Sequence, residues 1–395
     1  MRDLDTAELP KRVTILGSTG SVGTSTLKLI AAAPDRFAVE ALTANRNLDR
    51  LVEQVARFRP RFVAVADARR ADEARSRIAE IDPGIIVAGG PGAVVEAAQR
   101  EADFVMGAIV GAAGLKPTLA AIERGAVIGL ANKETLVCAG SIVMEAVRRH
   151  GATLLPVDSE HNAIFQVFDF ARPERVQRII LTASGGPFRT RDRASLRDIT
   201  PEEAVRHPNW SMGAKISIDS ATMMNKGLER IEAFHLFPVR TDQIEIVVHP
   251  QSVIHSMVEY CDGSVLAQLG TPDMCTPIAY ALAWPDRMPA PVTRLDFAQL
   301  GRLDFEAPDE ERFPALRLAR EALEAGDSAP IVLNAANEVA VAAFLDRRIG
   351  FLEITDLVEE ALASFPHGPV RSLEEVIAVD AEARRLVTEK LQAHV

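Results

Sequence analysis

Seven short apolar runs divide the first 158 residues, at 13–17, 37–43, 62–66, 85–88, 104–110, 127–130 and 153–157, with amphipathic stretches such as 24–33, 48–58 and 115–124 between them. No other feature limits the fold as much. A strand that is apolar on both faces has to be covered on both faces. A connection long enough for a helix returns the chain to begin the next strand in the same direction. Alternation of this kind specifies an α/β fold whose N-terminal part is a doubly wound, Rossmann-like parallel sheet. Sheets of that type bind ligands beyond the carboxyl ends of their strands. The segments leaving each apolar run are therefore where chemistry is expected.

The rest of the chain reads differently. Runs at 176–182, 244–248, 252–260 and 264–269 have strand character, and Asp262-Gly263 sits between the last two like a hairpin turn. That pattern predicts an α+β domain with one sheet face free for a partner. A Pro-rich, weakly periodic stretch at 284–314 reads as a linker. Helical periodicity from 315 onward, punctuated by Gly326, Gly350 and Pro366-His367-Gly368, predicts a helical bundle. The expected domains are thus 1–158, 159–283 and 315–395, with 284–314 between the last two.

Charge and cysteine usage narrow the class. A net charge of −11 argues against broad nucleic-acid or acidic-membrane binding, so an anionic substrate would need locally placed Lys and Arg. Cys138, Cys261 and Cys275 show no paired spacing, which suits a reducing compartment. The opening MRDLDTAELPKR lacks the apolar core of a signal peptide, and no apolar run approaches a membrane span. A cytoplasmic protein is expected.

The first run leads directly into Gly17-Ser18-Thr19-Gly20-Ser21-Val22-Gly23 at the start of a helical pattern. Glycines there let a backbone approach a pyrophosphate, and the helix N-terminus offers unpaired N–H groups to it. A Gly-rich turn alone is weak evidence; its place in a βαβ unit makes nucleotide binding the better reading. After the second run come Asn45-Arg46-Asn47. Glu40 falls too early in that run to reach a ribose 2′-hydroxyl, whereas Arg46 lies where a 2′-phosphate would be met, so NADP is favoured over NAD. A solvated loop arginine is the plain alternative.

The last run leads into Pro156-Val157-Asp158-Ser159-Glu160-His161-Asn162-Ala163-Ile164-Phe165-Gln166. Asp158 and Glu160 can hold a hard divalent cation if a third ligand joins them, or they are a solvated turn. Helical spacing over 219–235 supplies the candidate: at about 100° per residue, Thr222, Asn225, Lys226 and Glu229 share one arc, with Ser220 near the helix N-terminus. An acid there serves a metal, an amide and an amine serve an anion. A solvated face with a Lys226–Glu229 pair is the alternative. Ser184-Gly185-Gly186 can form an anion-binding nest after a strand. Asn132-Lys133-Glu134 follows the 127–130 run, where the lysine binds substrate oxygens or merely caps the sheet. The Pro- and Gly-bounded 206–213 stretch carries His207, Trp210 and Met212, and suits either a water-excluding lid or a loop with its Trp tucked into the core.

The ordered set G-S-T-G-S-V-G, A-N-K-E, P-V-D-S-E-H-N-A-I-F-Q, S-G-G-P-F, H-P-N-W-S-M-G and S-A-T-M-M-N-K-G-L-E, with H-P-Q-S-V-I-H-S-M and the late L-N-A-A-N-E, closely resembles the 1-deoxy-D-xylulose-5-phosphate reductoisomerases of bacteria and plastids. Likeness extends over essentially the whole chain. The resemblance implies an NADPH-binding N-terminal domain, a catalytic and dimerising middle domain, a helical C-terminal bundle, a homodimer, a phosphorylated ketose substrate and one Mg²⁺ or Mn²⁺ per subunit. By the same resemblance, Asp158, Glu160 and Glu229 are the metal ligands. Ser184, Ser220, Asn225 and Lys226 bind phosphate with His207 nearby, Ser159 and Lys133 meet the substrate's hydroxyl and carbonyl oxygens, and Trp210 and Met212 belong to the lid. Thr19, Gly20, Ser21, Val22, Asn45, Arg46, Asn47, Asn132, Glu134 and Gly213 form the NADPH set. Arg46 stands where some members carry Lys, which preserves the charge. Two competing readings are an aldehyde dehydrogenase using Cys138, which falls in an apolar helix pattern, and an NADP-sensing protein without catalysis.

Overall fold

A computed structural model describes residues 9–210 and 212–393. Its contacts divide the chain into two compact units interleaved in sequence. One gathers the residues up to Asn132 with Ala146–Val157 and Met274–Pro291; the other gathers Lys133–Glu145, Asp158–Asp273 and Val292 onward.

The first unit holds the expected parallel sheet. Its strands are β1 (Lys11–Leu16), β2 (Phe37–Ala44), β3 (Phe62–Val65), β4 (Ile86–Gly89), β5 (Phe104–Gly107), β6 (Val127–Leu130) and β7 (Thr153–Pro156), in the order β4-β3-β2-β1-β5-β6-β7. Every pairing is parallel. The order reverses at β1, the switch point where doubly wound folds open a ligand crevice. Val13, Ile15, Phe62, Val63 and Phe104 are fully buried, as strands covered on both faces require. Helices Ser21–Ala32 and Leu48–Phe58 follow β1 and β2. Helix Cys275–Ala283, which the sequence reading placed in the middle domain, belongs here instead. It is apolar almost throughout and packs on Ser21–Ala32, and Lys11 Nζ donates to the Leu282 carbonyl at 2.9 Å.

The second unit is built on β8 (Val176–Ala183), β9 (Ile244–Val248), β10 (Ile254–Tyr260) and β11 (Val265–Leu269), in the order β11-β10-β8-β9. β8 and β9 run parallel; β10 is antiparallel to β8 and β11. The predicted hairpin turn is present, with Gly263 at φ 84° and Asp262 Oδ1 accepting from the Ser264 N–H at 2.9 Å. Helices Ala315–Ala325, Ala329–Leu345 and Glu353–Ser364 share one core with Ala214–Ala221 and Met224–Leu236, through Ile218, Met224, Leu228, Leu316, Leu333 and Ile354. Contacts therefore group the middle region and the C-terminal helices in one unit, where the sequence reading drew a boundary and a linker. The 284–314 stretch includes a helical turn, Phe297–Leu300, and Glu306 bridges to Val248.

One expectation fails locally. The 219–235 stretch is not one helix. Ala214–Ala221 ends, Met223 adopts φ 65°, and Met224–Leu236 starts afresh. Ser220 therefore closes the first helix rather than opening the second. No Gly or Pro marks the break. Thr222 Oγ1 accepts from the Met224 N–H at 3.3 Å, and burial of Met223 offsets its strained backbone.

Candidate active site

Within the first unit, the 17–23 loop is braced by its neighbours. Gly17 N–H donates to Thr43 Oγ1 at 2.9 Å, Ser18 Oγ to Gln54 Oε1 at 2.7 Å, and Arg50 Nη1 to the Thr19 carbonyl at 3.1 Å. Gly17 sits at φ 87°, and a Cβ on Gly23 would fall 2.4 Å from the Gly17 carbonyl oxygen, so the tight loop-to-helix turn needs both glycines. Gly20 is the N-cap of Ser21–Ala32, with no side-chain cap and no acid in the first turn. Thr19 and Val22 are half-buried, Ser21 exposed. An anion fits such an end, because its N–H groups and dipole are uncontested. Arg46 is exposed, 3.7 Å from Asp67, and its carbonyl accepts from Arg70. Asn45 is exposed, while Asn47 caps Leu48–Phe58 by accepting from the Arg50 N–H. Asn132 is buried, its amide bound to the carbonyls of Ile109 and Gly111.

The second unit holds the candidate metal and phosphate residues. Asp158 caps helix Ser159–Val167, accepting from the Glu160 N–H at 3.1 Å, which fixes the turn that carries Glu160. Helix Met224–Leu236 brings Asn225, Lys226 and Glu229 to the same place. One oxygen each from Asp158, Glu160 and Glu229 lie within 4.8 Å of one another. Two amines interleave them. Lys133 Nζ donates to Asp158 at 2.9 Å, Asn225 Oδ1 at 2.7 Å and Glu229 at 3.1 Å; Lys226 Nζ donates to Glu160 at 3.0 Å and to Glu229. Asn225 Nδ2 also donates to Glu229, and Ser159 Oγ to Glu160, each at 2.5 Å.

Glu229 has no exposed side-chain surface and Asp158 only 11 %, so these charges act in a low dielectric. Burial, then Glu229, lifts the Glu160 carboxyl to about 7. Burial works against ionising Asp158, but Lys133 and His161 outweigh it and hold that carboxyl well below its usual range. Burial likewise opposes the Lys133 and Lys226 ammonium groups, and the surrounding acids raise both. Crowded, dry carboxylates that borrow amines for neutralisation are a donor set a hard divalent cation fits.

Behind this cluster stands a second layer that sequence reasoning missed. His161 Nδ1 lies 3.3 Å from Asp158 and 3.2 Å from Glu232, and its Nε2 meets the Glu229 carbonyl at 2.9 Å. The available signal was spacing: His161 is three residues from Asp158, and Glu232 three from Glu229, so each shares a helix face with a candidate ligand.

Ser184-Gly185-Gly186 turns as expected, with both glycines at positive φ. His207 Nδ1 accepts from the N–H groups of Asn209 and Trp210, so Nε2 carries the proton and donates to Ser184 Oγ at 3.0 Å. Burial holds that ring down to about 4, hence neutral. Ser184 Oγ also accepts from the Gly186 N–H at 3.1 Å, which leaves its own O–H to donate to a ligand. Ser220 is half-buried, and Gly186 leaves room for its carbonyl: a Cβ there would lie 2.6 Å away. Trp210 and Met212 are half-buried, the Trp ring 6.1 Å from His255; Gly213 is the exposed N-cap of Ala214–Ala221. Ser211 and residues 1–8 lie outside the described residues. Glu134 is buried and accepts from Lys215 at 3.1 Å. Cys138 is buried, with its thiol pushed up first by burial, so it packs as a small apolar group rather than serving as a nucleophile.

A parallel sheet with an open glycine loop, and an acid cluster suited to a hard cation, define a nucleotide-dependent enzyme class. Family models described as 1-deoxy-D-xylulose 5-phosphate reductoisomerase, its C-terminal domain, and DXP reductoisomerase C-terminal domain match residues 13–140, 154–237 and 269–386. A Rhodospirillum centenum 1-deoxy-D-xylulose 5-phosphate reductoisomerase is 62 % identical, covering 97 % of this chain and 95 % of that protein. The reductoisomerase from Zymomonas mobilis, solved in complex with NADPH, superposes with a TM-score of 0.91 at 54 % identity, over 97 % of this chain and 99 % of that one. A DOX-P reductoisomerase solved with NADPH, fosmidomycin and magnesium gives a TM-score of 0.91 at 44 % identity, over 97 % and 98 %. The chain belongs to the 1-deoxy-D-xylulose 5-phosphate reductoisomerase family.

Proposed function

We propose that this chain converts 1-deoxy-D-xylulose 5-phosphate to 2-C-methyl-D-erythritol 4-phosphate in non-mevalonate isoprenoid synthesis, using NADPH and Mg²⁺ or Mn²⁺. The observation that carries this reading is the cluster of Asp158, Glu160 and Glu229 with Lys133 and Lys226, in a chain of this family. Asp158, Glu160 and Glu229 hold the cation. When bound, the cation polarises the substrate's ketone as a Lewis acid and NADPH supplies the hydride. Lys133 and Ser159 orient the substrate's hydroxyl and carbonyl oxygens, and Glu229 borders the same atoms. Lys226, Asn225, Ser220 and Ser184 bind the phosphate, with His207 fixing the Ser184 hydroxyl so that its proton points outward. Binding the phosphate, remote from the reacting carbons, favours closure of the 206–213 segment, in which Trp210 and Met212 exclude water. Thr19, Gly20, Ser21 and Val22 cradle the NADPH pyrophosphate, and Asn45, Arg46 and Asn47 meet the adenosine 2′-phosphate. Asn132, Glu134 and Gly213 complete the cofactor set.

We assign a homodimer as well, supported by the apolar Val265 and Leu266, which are half-exposed on edge strand β11. Among the described residues no helix is long and apolar enough to cross a membrane, which suits action in a bacterial cytoplasm.

NADPH oxidation with 1-deoxy-D-xylulose 5-phosphate, after chelation and again after Mn²⁺ is restored, tests the reading. Turnover that vanishes and returns with the metal supports it. Turnover indifferent to metal removes the acid cluster from the chemistry. Folded protein that binds NADPH but turns over nothing in either condition points to another substrate.

A further inference from the structure

The Leu-Asn-Ala-Ala-Asn-Glu motif at 333–338 has no part in the chemistry above, yet helix Ala329–Leu345 fully buries its Leu333, Asn334 and Asn337, with Glu338 half-buried. Asn337 Nδ2 donates to Asp219 Oδ1 at 2.8 Å. The other oxygen of Asp219 lies 2.8 Å from Lys215 Nζ, and the same ammonium reaches Glu134 Oε1 at 3.1 Å. Asp219 and Glu134 expose only 2 % and 5 % of their side chains. Burial opposes the Lys215 ammonium, but Asp219 and then Glu134 outweigh it and raise that group; burial also opposes the Glu134 carboxylate, but Lys215 holds it below its usual range.

Location gives the network its meaning. Lys215 is the second residue of helix Ala214–Ala221, which begins where the 206–213 segment ends. The opposite end of that segment is tied down by His207 on Ser184 and by Asn209, whose Nδ2 donates to the Pro250 carbonyl at 2.8 Å and to Ser252 Oγ at 3.0 Å. The stretch bearing Trp210 and Met212 therefore runs between two fixed points. One is made of neutral hydrogen bonds, the other of the half-buried Lys215 between two buried acids, braced by an amide. Replacing a buried ion pair by apolar packing is often neutral or stabilising, so stability alone does not account for this triad; the task left to it here is to fix where the helix begins.

We propose that Lys215 is a positioning residue: held by Asp219, which Asn337 orients, it is the rigid abutment on which the 206–213 segment closes over substrate. This rests on the reading of that segment as a lid. It gives the C-terminal helices a task in the reaction cycle, because the bond that orients Asp219 comes from Ala329–Leu345. It also ties the lid's base to Glu134, so a change in one shifts the other.

Steady-state kinetics and fosmidomycin affinity of the full chain test the inference, with Lys215→Met, Lys215→Arg and Asn337→Ala compared at equal folded fraction by near-ultraviolet circular dichroism. Lys215→Met and Asn337→Ala are expected to raise KM for 1-deoxy-D-xylulose 5-phosphate and the fosmidomycin Kd by about tenfold, the scale of a small misplacement at a closing site. Lys215→Arg, which keeps the charge, should recover most of that loss. Should Lys215→Met fail to fold, Asn337→Ala, which removes no charge, decides alone. Folded variants with wild-type KM and fosmidomycin affinity overturn the inference, as does a fall in kcat at unchanged KM, the sign of mere structural damage. Wild-type protein that neither turns over the substrate nor binds fosmidomycin removes the underlying reading and this inference together. Wild-type activity with unmoved variants removes the inference alone.

Discussion

The glycine loop of the first unit and the acid cluster of the second solve opposite problems. The loop at 17–23 is made of backbone: its value lies in N–H groups that no side chain obstructs, and its weak point is any added carbon. The cluster around Glu229 is made of side chains whose charges are removed from water, and its weak point is any lost charge. A backbone site tolerates changes of polarity and fails on volume; a buried ionic site tolerates little change of charge even when volume is kept. Charges held away from water also titrate unusually: around the cluster, Glu160 and Glu232 are raised to about 7 and His161 to about 9, and burial holds His207, His235 and His255 of the same unit down to about 4.

Three substitutions press on that contrast. Glu229→Gln keeps shape and removes one charge, leaving Lys133 and Lys226 each short of an anion. Losing a cation worth several kcal/mol of transition-state stabilisation corresponds to a fall in kcat of about 10³-fold or more, with NADPH affinity held within about twofold. Stopped-flow turnover beside NADPH fluorescence titration checks it; comparable losses in both would mean misfolding and erase the contrast.

His235→Phe probes titration. Burial holds His235 at about 4 against an ordinary 6.5, so the folded state binds fewer protons than the unfolded one between those values. Its contribution to stability is complete above pH 6.5 and lost as pH falls toward 4, at most about 3 kcal/mol. Glu160 and Glu232, raised to about 7, act in the opposite sense: their contribution is complete below about 4.5 and lost as pH rises through 7. Urea midpoints of parent and variant at pH 7.5 and 4.5 isolate the histidine, and parallel curves would refute its role.

Gly23→Ala adds one methyl against the Gly17 carbonyl. The expected cost is about 1–3 kcal/mol, read as a lower melting temperature and weaker NADPH binding. Calorimetric metal affinity should not move. A variant that loses metal affinity as well would show that the two sites are not separable in this way.

Much of this is legible in the sequence. Continuous apolar runs announce β1 to β7; for all but the exposed edge strand β4, the reason is that a strand covered on both faces has few other compositions open to it. Asp262-Gly263 announced the hairpin through a glycine that supplies positive φ. The break at Met223 left no such trace: a buried methionine carries the left-handed turn, and only the surrounding core makes that affordable. The acids were legible as a set because motifs carried them, whereas His161 and Glu232 look like ordinary helix residues until tertiary packing brings them together. The sequence does not place helix Cys275–Ala283, because an almost wholly apolar composition says that it packs, not against what.

The corner at Met223 also sets a rule about chain length. Surface loops usually absorb an inserted or deleted residue. Here the next helix begins at once and delivers Asn225, Lys226 and Glu229 within its first two turns. One residue more or fewer between Met223 and Asn225 rotates that helix by about 100° about its axis and carries all three side chains away from Asp158 and Glu160 together. Point changes at this corner alter how well the cluster is held; an insertion or deletion there would dismantle it.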